Sequence, residues 1–249
     1  MVTHSKIVTV FFSLLIASIA SSELFAHSMW LDKKDYGYDF SYGELGDTDL
    51  YDPTRVVEVA GYNSAKEKTV LDVKHHIVKD KKGLAKILVE KDFSMLTGEL
   101  DNKYWFNTKD GWKNTETAKD FKGHGQVIEQ GKSYKYTKHI TKWEDYMSQP
   151  IGAKVEIVPL SDPTKLKEGD FLEVQLYLDG KLMPTKEARI GSDSNPYKDH
   201  ELIYLKSSKP IKIKISQKGL QLIEAKYKLK LEGKEVEWYS LTITFNTHH

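Results

Sequence analysis

The residue with the most chemistry to offer is His27, which follows Ala26 just beyond an uninterrupted apolar run. If an exporting cell cleaves after Ala26, the mature chain begins with histidine. The α-amine and the imidazole Nδ1 of such a residue close a six-membered chelate on one metal ion, with no help from any fold. A terminal amine titrates at about 7.7 to 8, so the metal must displace a proton and binding weakens as pH falls. Imidazole and amine nitrogens suit nickel, cobalt, copper and zinc better than calcium or magnesium.

The other histidines are weaker candidates. His124 lies in Lys122-Gly123-His124-Gly125-Gln126, where flanking glycines let the backbone turn tightly around whatever the imidazole contacts, or simply make a surface loop. His139 shares the more polar face of its segment with Thr137, Thr141 and Trp143, a face that lines a cleft or meets water. His75 alternates with Leu71, Val73 and Ile77, which predicts a hydrogen-bonded core histidine, and His76 points the other way into solvent. His200 follows a polar stretch and reads as a loop residue, while His248 and His249 end the chain.

Nucleophilic and acid–base chemistry finds no support. There is no Gly-x-Ser-x-Gly elbow, no His-Glu-x-x-His, no phosphate-cradling glycine loop and no cysteine. Acidic residues are scattered among lysines, and no carboxylate pair stands out. The chain is therefore read as a binding protein without enzymatic activity. A formal charge of +1, with Arg55 and Arg189 the only arginines, also argues against a nucleic-acid binder, which needs a basic stripe.

Ile7 to Ala20 is too short to span a bilayer and follows Lys6, the pattern of a secretory signal. Two cleavage sites offer themselves, Ser18-Ile19-Ala20 with the better small-x-small pattern and Leu24-Phe25-Ala26 as an acceptable one; a cut after Ala20 leaves His27 internal. Export without cysteine points to a bacterial periplasm or exterior, with a core stable without disulfides. No second membrane segment is visible.

Period-two patterning dominates the remainder. It predicts strands at 56–60, 69–78, 85–89, 102–107, 112–115 and 133–143, with Asp110-Gly111 as a hairpin turn and a fragile short helix within 115–130. The pattern restarts past Pro150, with strands at 155–158, 171–178, 211–215, 223–231 and 237–245. In the last, Tyr239, Leu241, Ile243 and Phe245 share one face and Trp238, Ser240, Thr242 and Thr244 the other. The expected fold is all-β, in two β-sandwich-like parts. These are an N-terminal one over 27–148, after a signal at 1–26, and an immunoglobulin-like or transthyretin-like one over 149–249. Met147 to Gly152 is the expected linker.

Several stretches together resemble a known family. They are Ala26-His27-Ser28-Met29-Trp30-Leu31, Asp39-Phe40-Ser41-Tyr42-Gly43-Glu44, Tyr51 to Val59 with Gly61, Ser133 to Lys138, and Gly152 to Pro163 with Gly169-Asp170, Leu178 to Gly180 and Tyr239 to Phe245. In order and spacing the chain is similar to the exported, NikK-like domain-of-unknown-function group, periplasmic accessory components of nickel and cobalt energy-coupling-factor uptake systems. The resemblance implies cleavage before His27, a periplasmic location, and transfer of Ni²⁺ or Co²⁺ to inner-membrane permease components. It implies that His27 chelates, that Glu44 adds an oxygen where many members carry histidine, and that His139 or His124 completes the shell. Relatives often carry another histidine near the last strands, where this chain has Lys226-Tyr227-Lys228. Two other readings remain: a metal-free interaction or assembly module, and a histidine-brace copper enzyme using Trp30, Trp105 and Trp112 as a substrate surface.

Overall fold

A computed structural model of the chain describes residues 27–123, 125–183, 188–192, 203–204, 209–215 and 218–247. Alternating side chains carry through into strands, and the fold is all-β. The helical segments among these residues are 3-10 turns of three or four residues, the one at Ala118–Asp120 standing where a short helix was expected.

In chain order the first half gives β1 (Ser28–Lys34), β2 (Gly37–Glu44), β3 (Asp47–Thr48), β4 (Val56–Tyr62) and β5 (Lys68–Val70). It continues with β6 (Val73–Lys79), β7 (Lys82–Leu88), β8 (Met95–Thr108), β9 (Gly111–Thr115) and β10 (Val127–Ile140). The second half gives β11 (Val155–Pro159), β12 (Phe171–Leu178), β13 (Lys181–Leu182) and β14 (Ala188–Ser192). Then come β15 (Ile203–Tyr204), β16 (Ile211–Lys214), β17 (Gly219–Lys230) and β18 (Glu235–Thr247). The segment expected as one strand over 69–78 breaks at Leu71-Asp72 into β5 and β6, which belong to different sheets. The β8–β9 hairpin turns at Asp110-Gly111 as expected, with Gly111 at φ +105°, a conformation open to glycine.

A long central sheet runs β15-β14-β17-β18-β10-β8-β4-β5, with β9 beside β8. One face carries a sheet of β1-β2-β7-β6 with β3, and the other a smaller sheet of β11, β12, β13 and β16. Alternation on the central strands explains why both faces are covered. Leu96 and Leu100 of β8 meet Met29, Leu31, Phe40 and Ile87 on one side, while Tyr239, Leu241, Ile243 and Phe245 of β18 meet Val155, Ile157, Leu172 and Leu176 on the other. Gly98 is needed at the first interface because a Cβ there would stand 2.2 Å from Cε2 of Phe40.

The expected division at residue 148 is not a division of sheets. The chain does leave the central sheet there to build β11 and β12, but β17 and β18 return to it. β18 joins β10 in parallel register, Tyr136 opposite Leu241. A parallel pair needs a long crossover, and the small sheet is part of that crossover. The two sandwich-like interfaces thus share one central layer. The expected linker is pinned too: Met147 is fully buried, and Glu156 accepts the backbone N–H groups of Ile151, Gly152 and Ala153 at 2.9–3.0 Å.

His75 corrects the expectation of a core histidine. β6 pairs only with β7 and lies at the sheet edge, where His75, His76, Ile77 and Val78 are all exposed. Its alternation with apolar neighbours was real, but beyond Val73 no layer covers that strand.

Candidate metal centre

His27 lies one residue ahead of β1. The antiparallel β1–β2 pair sets Ser28 opposite Gly43. Beyond Gly43 the chain turns at Gly46 and comes back as β3, and Asp49 N–H then bonds the Tyr42 carbonyl oxygen at 2.7 Å. That reversal carries the Asp49 carboxylate to the His27 imidazole, with Oδ2 3.0 Å from Nε2. The Tyr42 ring lies beside the imidazole, centroids 5.2 Å apart, and leans on Tyr51 in turn.

From the central sheet, Lys135 Nζ donates to the His27 carbonyl oxygen and sits 5.3 Å from the Tyr42 ring centre. Thr242 Oγ1 donates to the carbonyl oxygen of Met29. These two side chains occupy acceptors on the outer edge of β1, so the strand is held at both residues flanking Ser28 and the edge is blunted against further pairing. Burial pushes the Lys135 ammonium down to about 7, partly opposed by the charge of Glu224 and reinforced by that of Lys226.

The arrangement suits a particular division of labour in the imidazole. Asp49 takes Nε2, the nitrogen that an amine–imidazole chelate does not use. A carboxylate on the non-ligating N–H fixes the tautomer and orientation of a metal-binding histidine and raises its basicity. With the His27 amine freed by cleavage, these residues would fit a single bidentate chelate backed by an acidic partner.

Among the described residues, no other expected ligand joins His27 and Asp49 in a group of three. Glu44 is exposed on the turn side of β2. His139 lies on the same face of β10 as Lys135 but four residues on, about 13 Å along the strand. It neither lines a cleft nor faces water: it is 2 % exposed, its Nδ1 is 2.9 Å from Thr244 Oγ1, and the edge of Tyr38 packs against it. His124 lies outside the described residues. Among the described residues no group of three or more His, Cys, Asp or Glu side chains converges on one point. Among the described residues a histidine brace finds no second imidazole beside His27, since His139 is in the core and His75 and His76 are on the far edge of their sheet. Trp30 and Trp105 are buried core residues and offer no substrate platform.

His139 titrates in a way that reports its burial. Desolvation pushes it down to about 4, with the charge of Lys33 acting the same way and that of Asp32 opposing. Between pH 6.5 and 4 the unfolded chain takes a proton that the folded chain refuses. Stability is therefore full above 6.5 and falls on acidification, by up to roughly 3 kcal/mol from this group. Urea unfolding at pH 7 and pH 4 should show that loss, and His139→Gln should remove much of it.

A family model described as a domain of unknown function, DUF4198, matches residues 24–229. That span takes in His27, Asp49 and Lys135 and ends before β18. The chain belongs to the DUF4198 family. No curated protein matches the chain. The family description carries no activity, metal or partner, so the chemistry of this DUF4198 chain rests on its own residues. Asp49 and Lys135 escaped the sequence reading because nothing local marks them. Asp49 is one of many acids, and the only hint was Gly46 in Glu44-Leu45-Gly46-Asp47, a reversal that would bring the following residues back over Tyr42.

No helix among the described residues is long and apolar enough to cross a membrane.

Proposed function

We propose that the mature chain begins at His27 in the periplasm, captures a divalent transition ion, Ni²⁺ or Co²⁺, and passes it to an inner-membrane uptake permease. The metal is cargo. It is held by the His27 amine and Nδ1, with water or a partner's donors completing its coordination. The observation that carries this reading is the Asp49 carboxylate on Nε2, which leaves the chelating side of the ring to the ion. Borderline nitrogen donors favour nickel or cobalt over hard cations. So few ligands also suit delivery, because a donor set of two protein nitrogens releases its ion more readily than a closed four-ligand cage. The family resemblance adds the uptake permease as recipient.

Isothermal titration of NiCl₂ into protein starting at His27 tests the reading, with mass spectrometry of the exported chain to establish the terminus. Replacing Asp49 by Asn keeps the shape but removes the charge, and is expected to weaken Ni²⁺ about 10- to 100-fold. Equal affinity in D49N, or an exported chain starting at Ser21, would sink it.

A further inference from the structure

A cavity lies on the opposite face of the central sheet from His27. It encloses about 450 Å³ between β4, β8 and β10 on one side and the segment 151–157 on the other. That is the size range of pockets that hold small organic ligands. The strand register explains its chemistry. Glu58 of β4 is directly opposite Glu99 of β8, and Glu99 is directly opposite Tyr136 of β10. Two carboxylates and a phenol therefore form one row across the cavity floor. Like charges directly opposite on neighbouring strands are destabilising, and the fold tolerates this pair at a cavity.

The pairing around the row is uneven. Lys68 pairs with Glu58 at 2.6 Å, Lys138 with Glu156 at 3.1 Å, and Lys154 with Glu237 at 2.9 Å. Glu99 has no basic side chain within ion-pair distance among the described residues. Its partner is the Tyr136 hydroxyl, which donates to Oε1 at 3.2 Å. Burial pushes the Glu99 carboxyl up, the charges of Glu58 and Asp101 push the same way, and the Tyr136 hydrogen bond and the charge of Lys68 only partly oppose them. The lining carries three carboxylates, Glu58, Glu99 and Glu156, and three ammonium groups, but Lys154 is drawn to Glu237, so the half-buried Glu99 is left with the Tyr136 hydroxyl as its partner. An ammonium group entering here would neutralise Glu99, relieve its repulsion with Glu58 and lie against aromatic faces that attract cations. A bare divalent ion fits less well: two carboxylates, one already paired with lysine, are too few donors, and the space far exceeds an ion.

We propose that this cavity is a second binding site, independent of His27, for a small organic molecule carrying a primary ammonium group anchored on Glu99.

Titration with spermidine and 1,5-diaminopentane tests this, with 1,5-pentanediol as the uncharged counterpart and CaCl₂ and NiCl₂ as metal controls. Amine binding in the wild type is expected, weakened at least tenfold by Glu99→Gln and unchanged by His27→Ala. The E99Q protein should melt no lower than wild type, because the substitution removes a like-charge contact. If E99Q does not fold, Ala153→Phe, which fills the cavity from its wall, is expected to abolish amine binding instead. Absence of amine binding, equal binding by the diol, unchanged affinity in the folded cavity variant, or displacement of the amine by Ca²⁺ or Ni²⁺ would each overturn the proposal. Because the His27→Ala arm separates the two sites, failure here leaves the metal chelate standing, and the reverse holds too.

Discussion

Adding one alanine ahead of His27 in the mature protein is expected to weaken Ni²⁺ binding by at least about a hundredfold, some 2.7 kcal/mol. The imidazole, Asp49 and the surrounding strands all survive the insertion. What disappears is the α-amine, replaced by a peptide nitrogen that is a poor donor at neutral pH. A lost outer partner costs 10- to 100-fold in metal affinity, and a direct ligand that closes a six-membered ring should cost no less. Folding should be untouched, because β1 begins at Ser28 and His27 makes no pair in its sheet. Unchanged melting with collapsed affinity is the signature. If the extended chain binds Ni²⁺ as tightly as the native one, the terminal chelate is wrong. Wild-type affinity should also fall with acidification below about pH 8, where a terminal amine holds its proton.

The second large effect concerns Lys138 and Glu156, which tie the central sheet to the small sheet. Both are buried, at 6 % and 3 % exposure, with Nζ 3.1 Å from Oε2 and 3.2 Å from the Ile157 carbonyl oxygen. The two partners are not equivalent. Glu156 also accepts three backbone N–H groups from 151–153, whereas Lys138 has only the carboxylate and one carbonyl. Removing Glu156 strands a buried ammonium and three peptide donors together. Glu156→Ala is expected to cost about 3–5 kcal/mol, a large part of a typical domain's stability. Lys138→Met leaves the carboxylate still held by the peptide donors, and an apolar side chain tolerates the burial. Its cost should be about 1–3 kcal/mol. Urea unfolding of both variants checks the order, and a K138M loss equal to or above that of E156A would refute this account of the junction.

Alternation was legible in the chain because the side-chain period of a strand is local, and β8, β10, β12 and β18 stand where it indicated. The β1–β2 pair was missed as strands, although it positions the candidate metal centre. Ser28 to Leu31 of β1 are buried on both faces and do not alternate, whereas β2 does, with Tyr38, Phe40 and Tyr42 against Asp39 and Ser41, a signal legible in the chain. His75 and His139 exchanged roles for one shared reason. Each alternates with its neighbours as expected, but whether a face is core or surface depends on what lies over it. Beyond Val73, nothing buries the edge strand β6. β10 is central, and the β1–β2 layer covers His139 there. The same layering displaced the expected domain boundary, since the return of β17 and β18 to the first half's sheet is a long-range pairing without local signature.

The amino-acid sequence by itself determined the all-β class, the lack of thiolate chemistry and the chelating potential of His27. Each follows from residue type or from spacing over a few positions. Only the tertiary structure decided that Asp49 backs His27, that His139 is unavailable to it, and that Glu58, Glu99 and Tyr136 share a cavity. Those depend on which strands pair and which layer covers them, and pairing across tens of residues is set by burial summed over the whole chain, which no local pattern records.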